Sequence, residues 1–201
     1  PEVRLSTIKY AVETGLRERA IYNSIDNHVS DEEIDALREV GVESSMLMSY
    51  NPRNVWAKGR LEILRGWEGQ IGLLEAAEKA GIKKILVDTA VLDVPSIGIA
   101  ASAIKIVKEE LGLPAGCGPS NAITTWSRLK QEFSVHAYPS SLAGSALLNI
   151  LMGANFVLYG PIKYADTVYP VCAMADAIVS YNARTLGIRP KVKNHPLYKI
   201  F

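Results

Sequence analysis

The chain has 201 residues, 48% of them hydrophobic and 21% charged, an ordinary balance for one soluble globular domain. A net charge of +1 gives no electrostatic case for nucleic acid or an anionic membrane surface, and no apolar run approaches the ~18 residues of a membrane span. Cys117 and Cys172 form no C-x-x-C pair; nothing asks for a disulfide, and a reducing compartment is the better fit. No signal peptide is visible. The first residue is Pro1 and the chain opens directly into a helical pattern, so it reads as a fragment or processed product of something longer.

In chain order, Ser6 to Leu16 reads as a helix ending near Gly15, and Arg19 to Ile25 as a strand. Ser30 has the spacing of an N-cap, with Glu33 three residues on as in a capping box. Its helix runs through Ile34, Leu37 and Val40 to Gly41. Ser44 to Tyr50 is the next strand, stopped by Asn51-Pro52. Arg53 to Arg60 reads as a loop and Leu61 to Ala80 as helix, weakened in its first half by Gly66, Gly69 and Gly72 and closed by Gly81. Lys84-Ile85-Leu86-Val87-Asp88 is a continuous apolar run ending on a carboxylate. Such a run marks a parallel strand covered by helices on both faces. A loop over Val91 to Gly98 leads to a helix from Ile99 to Leu111, stopped by Gly112 and Pro114. Ala115 to Ser120 is a glycine-rich strand and Asn121 to Gln131 a helix. Phe133 to His136 is a short extended piece, and Ser140 to Met152 a helix with a small-residue face. Asn155 to Tyr159 is a strand into Gly160-Pro161. A long helix runs from about Tyr164 to Leu186, and a basic tail from Arg189 to Phe201 carries two prolines.

Strand and helix thus alternate about five times with no hairpin signal, which is the pattern of an α/β fold with right-handed βα connections. A doubly wound sheet usually shows G-x-G-x-x-G at its first βα turn, and none is present. The pattern favours a (β/α)8 TIM barrel of which about the last five units are present and the first three absent. On a barrel, Asn23, Asn51, Asp88, Asn121 and Gly160 fall at carboxyl strand ends and converge on one mouth.

One carboxylate among amides makes a hydrogen-bonding pocket rather than a metal site. His28, His136 and His195 are scattered, with no H-x-x-x-H or H-E-x-x-H spacing. There is no G-x-S-x-G elbow, and no lysine ends a strand apart from Lys163 just past Gly160. A carboxylate can accept two parallel hydrogen bonds from a flat heterocycle with adjacent N–H donors, such as a pterin or guanine. Each candidate has a structural reading beside the functional one. Asp88 can cap the loop after its strand, Asn23 can be a turn residue, and Asn121 can be the N-cap of its own helix. Asn51 and Asp93 read as loop formers, Cys117 as a small buried residue, Met46 and Met48 as strand packing, and Lys191 and Lys193 as solvated.

Four stretches carry a family resemblance: Ala20 to Ile25; Leu86 to Gly98, which contains Val87-Asp88-Thr89; Gly112 to Ala122, which contains Gly118-Pro119-Ser120-Asn121; and Phe156 to Ile162. Together with His195-Pro196-Leu197-Tyr198-Lys199, they resemble the pterin-binding methyltransferase family over nearly the whole chain. Within it, the likeness is to the pterin-binding subunit of tetrahydromethanopterin S-methyltransferase. The resemblance implies a pterin-binding TIM barrel, with Pro1 falling just after the third strand and about a third of the domain absent. It implies transfer of a methyl group from N5 of methyl-tetrahydromethanopterin to the cobalt(I) of a corrinoid carried by a partner subunit. It also implies a cytoplasmic position, peripheral to a membrane complex. Pterin-binding methyltransferases place an Asn at the end of strand four, an Asp at the end of strand six and an Asn in a G-x-S-N stretch at strand seven, positions matched by Asn23, Asp88 and Asn121. Related synthases carry a lysine at the last position, so Asn121 points to methyl transfer. A further acidic residue, ending strand three, would lie in the absent part.

The resemblance assigns pterin binding to Asn23, Asp88 and Asn121, and catalysis to Asp88 and Asn121. A homodimer is a further expectation. Two rivals stand beside this reading. One is a corrinoid-dependent methyltransferase with another methyl donor, such as a methylamine or betaine. The other is a non-catalytic subunit that holds a corrinoid protein to a membrane complex.

Overall fold

The computed structural model describes residues 2–67 and 69–200, with the backbone alone for Lys130. The chain divides into two compact units, Pro1–Ala90 with Ser102–Gly116, and Val91–Ala101 with Cys117–Phe201.

The first unit opens with α1 (Glu2–Glu13) and a 3-10 turn, Arg17–Arg19. Then follow β1 (Tyr22–Ile25), α2 (Asp31–Val40), β2 (Ser44–Met48), α3 (Ala57–Arg65), α4 (Leu73–Lys79) and β3 (Lys84–Asp88). It closes with the later turns of α5 (Ser96–Leu111) and the start of β4 (Ala115–Cys117). β1 pairs with β2, β2 with β3 and β3 with β4, each parallel, in the order of the sequence. A doubly wound sheet reverses its order at a switch point; these strands do not. The unreversed order is compatible with an arc of a barrel. Ile25, Leu37, Leu47, Leu64, Val87 and Ile104 are fully buried and form the apolar interior.

Local chemistry explains several boundaries. Ser30 Oγ accepts the Glu33 N–H at 3.3 Å, and Gly41 ends α2 in the left-handed conformation at φ +69°. The reciprocal half of the capping box is absent, because the Glu33 carboxylate turns inward. It accepts a short hydrogen bond from the buried Tyr22 hydroxyl and lies 3.5 Å from Arg4. A buried phenol needs an acceptor, and that need outweighs the cap. Burial, with the Glu33 bond second, pushes the Tyr22 hydroxyl far above its ordinary value.

The helix expected over Leu61 to Ala80 is two helices. Gly66 sits at φ +93°, a backbone that ends α3, and α4 begins only after Gly72. The loop expected to Arg60 is shorter, because α3 already starts at Ala57. The strand expected from Arg19 begins at Tyr22, after the 3-10 turn.

The second unit contains the first turns of α5, Cys117 at the end of β4, α6 (Ser120–Thr125), α7 (Leu129–Glu132), α8 (Ala137–Leu151), β5 (Phe156–Val157), α9 (Ala165–Ala183) and α10 (Leu197–Ile200). The Leu158 N–H donates to Cys117 O at 3.0 Å, which ties β5 to β4. α8 packs along α9, and both helices bury alanines (Ala143 and Ala146, Ala175 and Ala177). The single helix expected over Asn121 to Gln131 is interrupted between Thr125 and Leu129. The extended piece expected at Phe133 to His136 is a bend and turn leading into α8. Leu197 anchors the tail by burial in α10, which packs on α9, while Lys191 and Lys193 stay exposed as expected.

Candidate functional site

Asp88 is the last residue of β3 and is 7% exposed. Three sets of bonds fix its backbone. Its carbonyl accepts from the Ser49 N–H at 2.8 Å and from Ser49 Oγ at 3.0 Å. Next in sequence, Thr89 donates its N–H to Gly116 O at 2.9 Å and its hydroxyl to the same oxygen at 3.2 Å. The carbonyl of Thr89 in turn accepts from Arg60 Nε at 2.9 Å. Asp88 Oδ1 accepts the Ala90 N–H at 2.8 Å. Ala90 has φ +54°, a left-handed conformation that costs a residue other than glycine about 1–3 kcal/mol and persists only where its surroundings fix it. Asp88 therefore caps its loop, as its structural reading held, but only one carboxylate oxygen does so. Oδ2 makes no hydrogen bond among the described residues and retains its accepting capacity.

Burial raises the Asp88 carboxyl above its ordinary value, with the Ala90 N–H and then the Arg60 charge acting in the opposite direction. Arg60 is itself 1% exposed. Its guanidinium lies 5.1 Å from the centroid of the Tyr50 ring, and its Nη1 has no hydrogen-bond partner among the described residues. Burial lowers its proton affinity, which the Tyr50 and Asp88 charges raise. Sequence reasoning misses Arg60 by placing it at the end of a loop. A lone arginine on an amphipathic helix carries no sign that it points inward.

Asn23 differs from its expected place. It is the second residue of β1, not the last, and it pairs in register with Met46. The ladder then slips, so that Ile25 faces Leu47, an irregularity of the β-bulge kind that ends regular pairing early. Met46 pairs with Leu86 and Met48 with Asp88. The period of two therefore puts Asn23, Leu86 and Asp88 on one face of the first unit's sheet. Tyr22 points to the other face, towards Glu33 of α2. Asn23 is exposed, and its side chain makes no hydrogen bond among the described residues. Asn51 is 1% exposed; its Oδ1 accepts from the N–H groups of Arg53 at 3.0 Å and Asn54 at 3.2 Å. It is a loop former, as expected.

In the second unit, Asn121 is the second residue of α6 and exposed. It is not the N-cap: that position is Pro119, and no side chain caps the helix. Its amide is therefore not committed to the backbone. Ser120 beside it donates its hydroxyl to Leu158 O at 3.4 Å. Gly160, at φ +81°, packs so tightly here that a Cβ would stand 3.0 Å from Ser120 Cβ and Oγ. Cys117 is buried and bonds Asn149 Oδ1 through its thiol at 3.2 Å, a packing role. Asp93 Oδ1 accepts the Ser96 N–H at 3.0 Å and starts α5, again a loop former. Among the described residues, no group of three or more His, Cys, Asp or Glu side chains is placed to hold a metal ion. None of their helices is long and apolar enough to cross a membrane.

A family model described as "Tetrahydromethanopterin S-methyltransferase MtrH subunit" matches residues 1–191. Curated relatives that bear the name of this same methyltransferase subunit agree with it. The chain is 37% identical to the one from Methanothermobacter thermautotrophicus, covering 99% of the chain and 66% of that protein. It is 36% identical to the one from Methanopyrus kandleri, over 97% of the chain and 65% of the relative. With that of Methanosarcina acetivorans the identity is 34%, over 99% and 66%. The chain thus spans about two thirds of the length of these relatives. A match of this extent decides the family: the chain belongs to the MtrH subunit family of tetrahydromethanopterin S-methyltransferases.

Proposed function

We propose that the protein of which this chain forms part is a corrinoid-dependent methyltransferase, moving the methyl group of N5-methyl-tetrahydromethanopterin to the cobalt(I) of a corrinoid carried by a partner subunit. The family membership carries this reading, and the chemistry of Asp88 supports it. A carboxylate that keeps one oxygen unspent at the end of a buried strand suits the N–H edge of a pterin ring. Asp88 binds that edge. Asn23, on the same face of the first unit's sheet, adds a donor and an acceptor.

Asn121 acts at N5. A tertiary amine leaves poorly until it is protonated or strongly hydrogen-bonded, and an amide carried at a helix start, with its donors uncommitted, can strengthen its bond as charge changes there. Cobalt(I) supplies the electron pair of the new Co–C bond, while N5 keeps the pair of the broken C–N bond and takes up a proton. Positioning of methyl against metal supplies the remaining rate enhancement. The complete domain is a (β/α)8 barrel whose last five units this chain supplies. The protein works on the cytoplasmic side of a membrane complex, held there through membrane-bound subunits, and pairs with a second copy of itself.

Calorimetric titration of the full-length protein with methyl-tetrahydromethanopterin tests the binding step: saturable binding is expected. A related methyltransferase with another donor would show no such binding while methylating a corrinoid from that donor, and an assembly subunit would show neither.

A further inference from the structure

Arg60 is the one side chain among the described residues that holds a buried polar atom without a partner. It lies in the first unit's interior, on the second turn of α3, and none of the three roles assigned above includes it. A buried guanidinium is costly to desolvate unless it is paired and hydrogen-bonded. Here it donates one N–H to the Thr89 carbonyl and sets its guanidinium carbon 5.1 Å from the centroid of the Tyr50 ring, leaving Nη1 unbonded. With no carboxylate bonded to it among the described residues, its charge is left to act on its surroundings.

We propose that Arg60 is a positioning residue for Asp88: through Thr89 it fixes the turn that presents the carboxylate, and it sets a positive charge with no bonded carboxylate of its own beside that turn. The first half rests on the chain of contacts. Arg60 Nε holds Thr89 O, Thr89 is held to Gly116 from its other side, and the next residue, Ala90, is pinned in its left-handed conformation by Asp88 Oδ1. Without the arginine, the strained turn loses one of its restraints. The second half rests on what else faces Asp88. From α3 there is Arg60, and beyond it Tyr50 after β2; the pairing strand β4 presents Ala115 and Gly116, which do not titrate. Among the described residues Arg60 is the only cation acting on the carboxyl, and burial, the dominant influence, works against it. A pterin edge that presents paired N–H donors is held more strongly by an ionised acceptor, so the arginine widens the pH range over which Asp88 binds well. That consequence rests on the pterin-binding reading; the link between Arg60 and Asp88 does not.

The test uses the full-length protein with 13C-carboxyl-labelled aspartate, the Asp88 signal being identified by its loss in Asp88→Asn. Replacing Arg60 by Met keeps the volume and removes the charge, and Arg60→Lys keeps the charge without the fork. The Asp88 titration midpoint is expected to move to higher pH in Arg60→Met and to return towards wild type in Arg60→Lys. Affinity for methyl-tetrahydromethanopterin is expected to fall in Arg60→Met at neutral pH and to recover as pH rises, which a merely structural defect would not do. In the wild-type protein, the 15N signals of the Arg60 side chain should follow the Asp88 midpoint and lose that inflection in Asp88→Asn, a readout that survives if Arg60→Met fails to fold. An unmoved midpoint in Arg60→Met, or an Arg60 signal indifferent to Asp88, overturns the proposal. If the midpoint moves but the wild-type protein binds no pterin, the pairing stands and the proposed function fails.

Discussion

Asp88→Asn should separate binding from stability. The substitution preserves shape, and the asparagine carbonyl oxygen can keep the 2.8 Å bond from the Ala90 N–H. Oδ2 makes no bond among the described residues, so no internal hydrogen bond is lost there. What disappears is a charge whose burial outweighs both the Ala90 bond and the Arg60 charge, as the raised carboxyl shows. A carboxyl with a raised folded-state value binds protons more readily folded than unfolded. Its ionisation therefore lowers stability progressively as pH rises from its unfolded value through its folded one. Asp88→Asn should thus be at least as stable as wild type at neutral pH, and the difference should close as pH falls to where Asp88 is protonated in both states. Pterin binding should move the other way. Losing a charge-assisted hydrogen bond costs about 1.5–3 kcal/mol, or roughly ten- to 150-fold in Kd. Thermal melts across pH and calorimetry on the full-length variant read both quantities. An Asn variant less stable than wild type at neutral pH, with unchanged affinity for methyl-tetrahydromethanopterin, would reduce Asp88 to a loop cap and refute the reasoning.

Asn121→Ser should lower the methyl-transfer rate by roughly ten- to a thousandfold with pterin saturating, in the range of other preorganised donors, while leaving the melting temperature unchanged, since Asn121 caps nothing; single-turnover kinetics separate the two. Gly160→Ala should destabilise by about 1–2 kcal/mol for the left-handed backbone alone, and more from the 3.0 Å approach to Ser120; chemical denaturation measures it. Ser30→Ala should cost about 1 kcal/mol through loss of the Glu33 N–H acceptor, with methyl transfer at permissive temperature unaffected. Leu64→Ala, a fully buried position in α3, should cost about 2–5 kcal/mol by the same denaturation measurement.

The elements legible in the sequence are those with both a period and a stop signal. The apolar run to Asp88 marks β3 to the residue, and Ser30 and Gly41 bracket α2. The errors fall where local signals conflict with tertiary needs. Gly66 looks like a weak point in one helix, but its positive φ makes it the end of α3. Glu33 has capping-box spacing, yet a buried tyrosine on the neighbouring strand claims its carboxylate. Asn121 has N-cap identity, but the N-cap position falls two residues earlier, at Pro119, and leaves the amide free. Asn23 is misplaced because a register slip is not written in composition. Of the candidate site, the strand-end carboxylate is visible from its run alone, whereas Arg60 becomes visible only once α3 lays it against the end of β3.

Methyl transfer from a pterin nitrogen to cobalt(I) is the central claim, and the most direct measurement is stopped-flow transfer from methyl-tetrahydromethanopterin to free cob(I)alamin by the full-length protein, followed by the loss of cobalt(I) absorbance. Wild type is expected to give pterin-saturable methylation, with Asp88→Asn raising the pterin concentration needed for half-saturation and Asn121→Ser slowing the saturated rate. No methylation by a wild-type protein that binds the pterin and is confirmed folded, or wild-type kinetics in both variants, would contradict it.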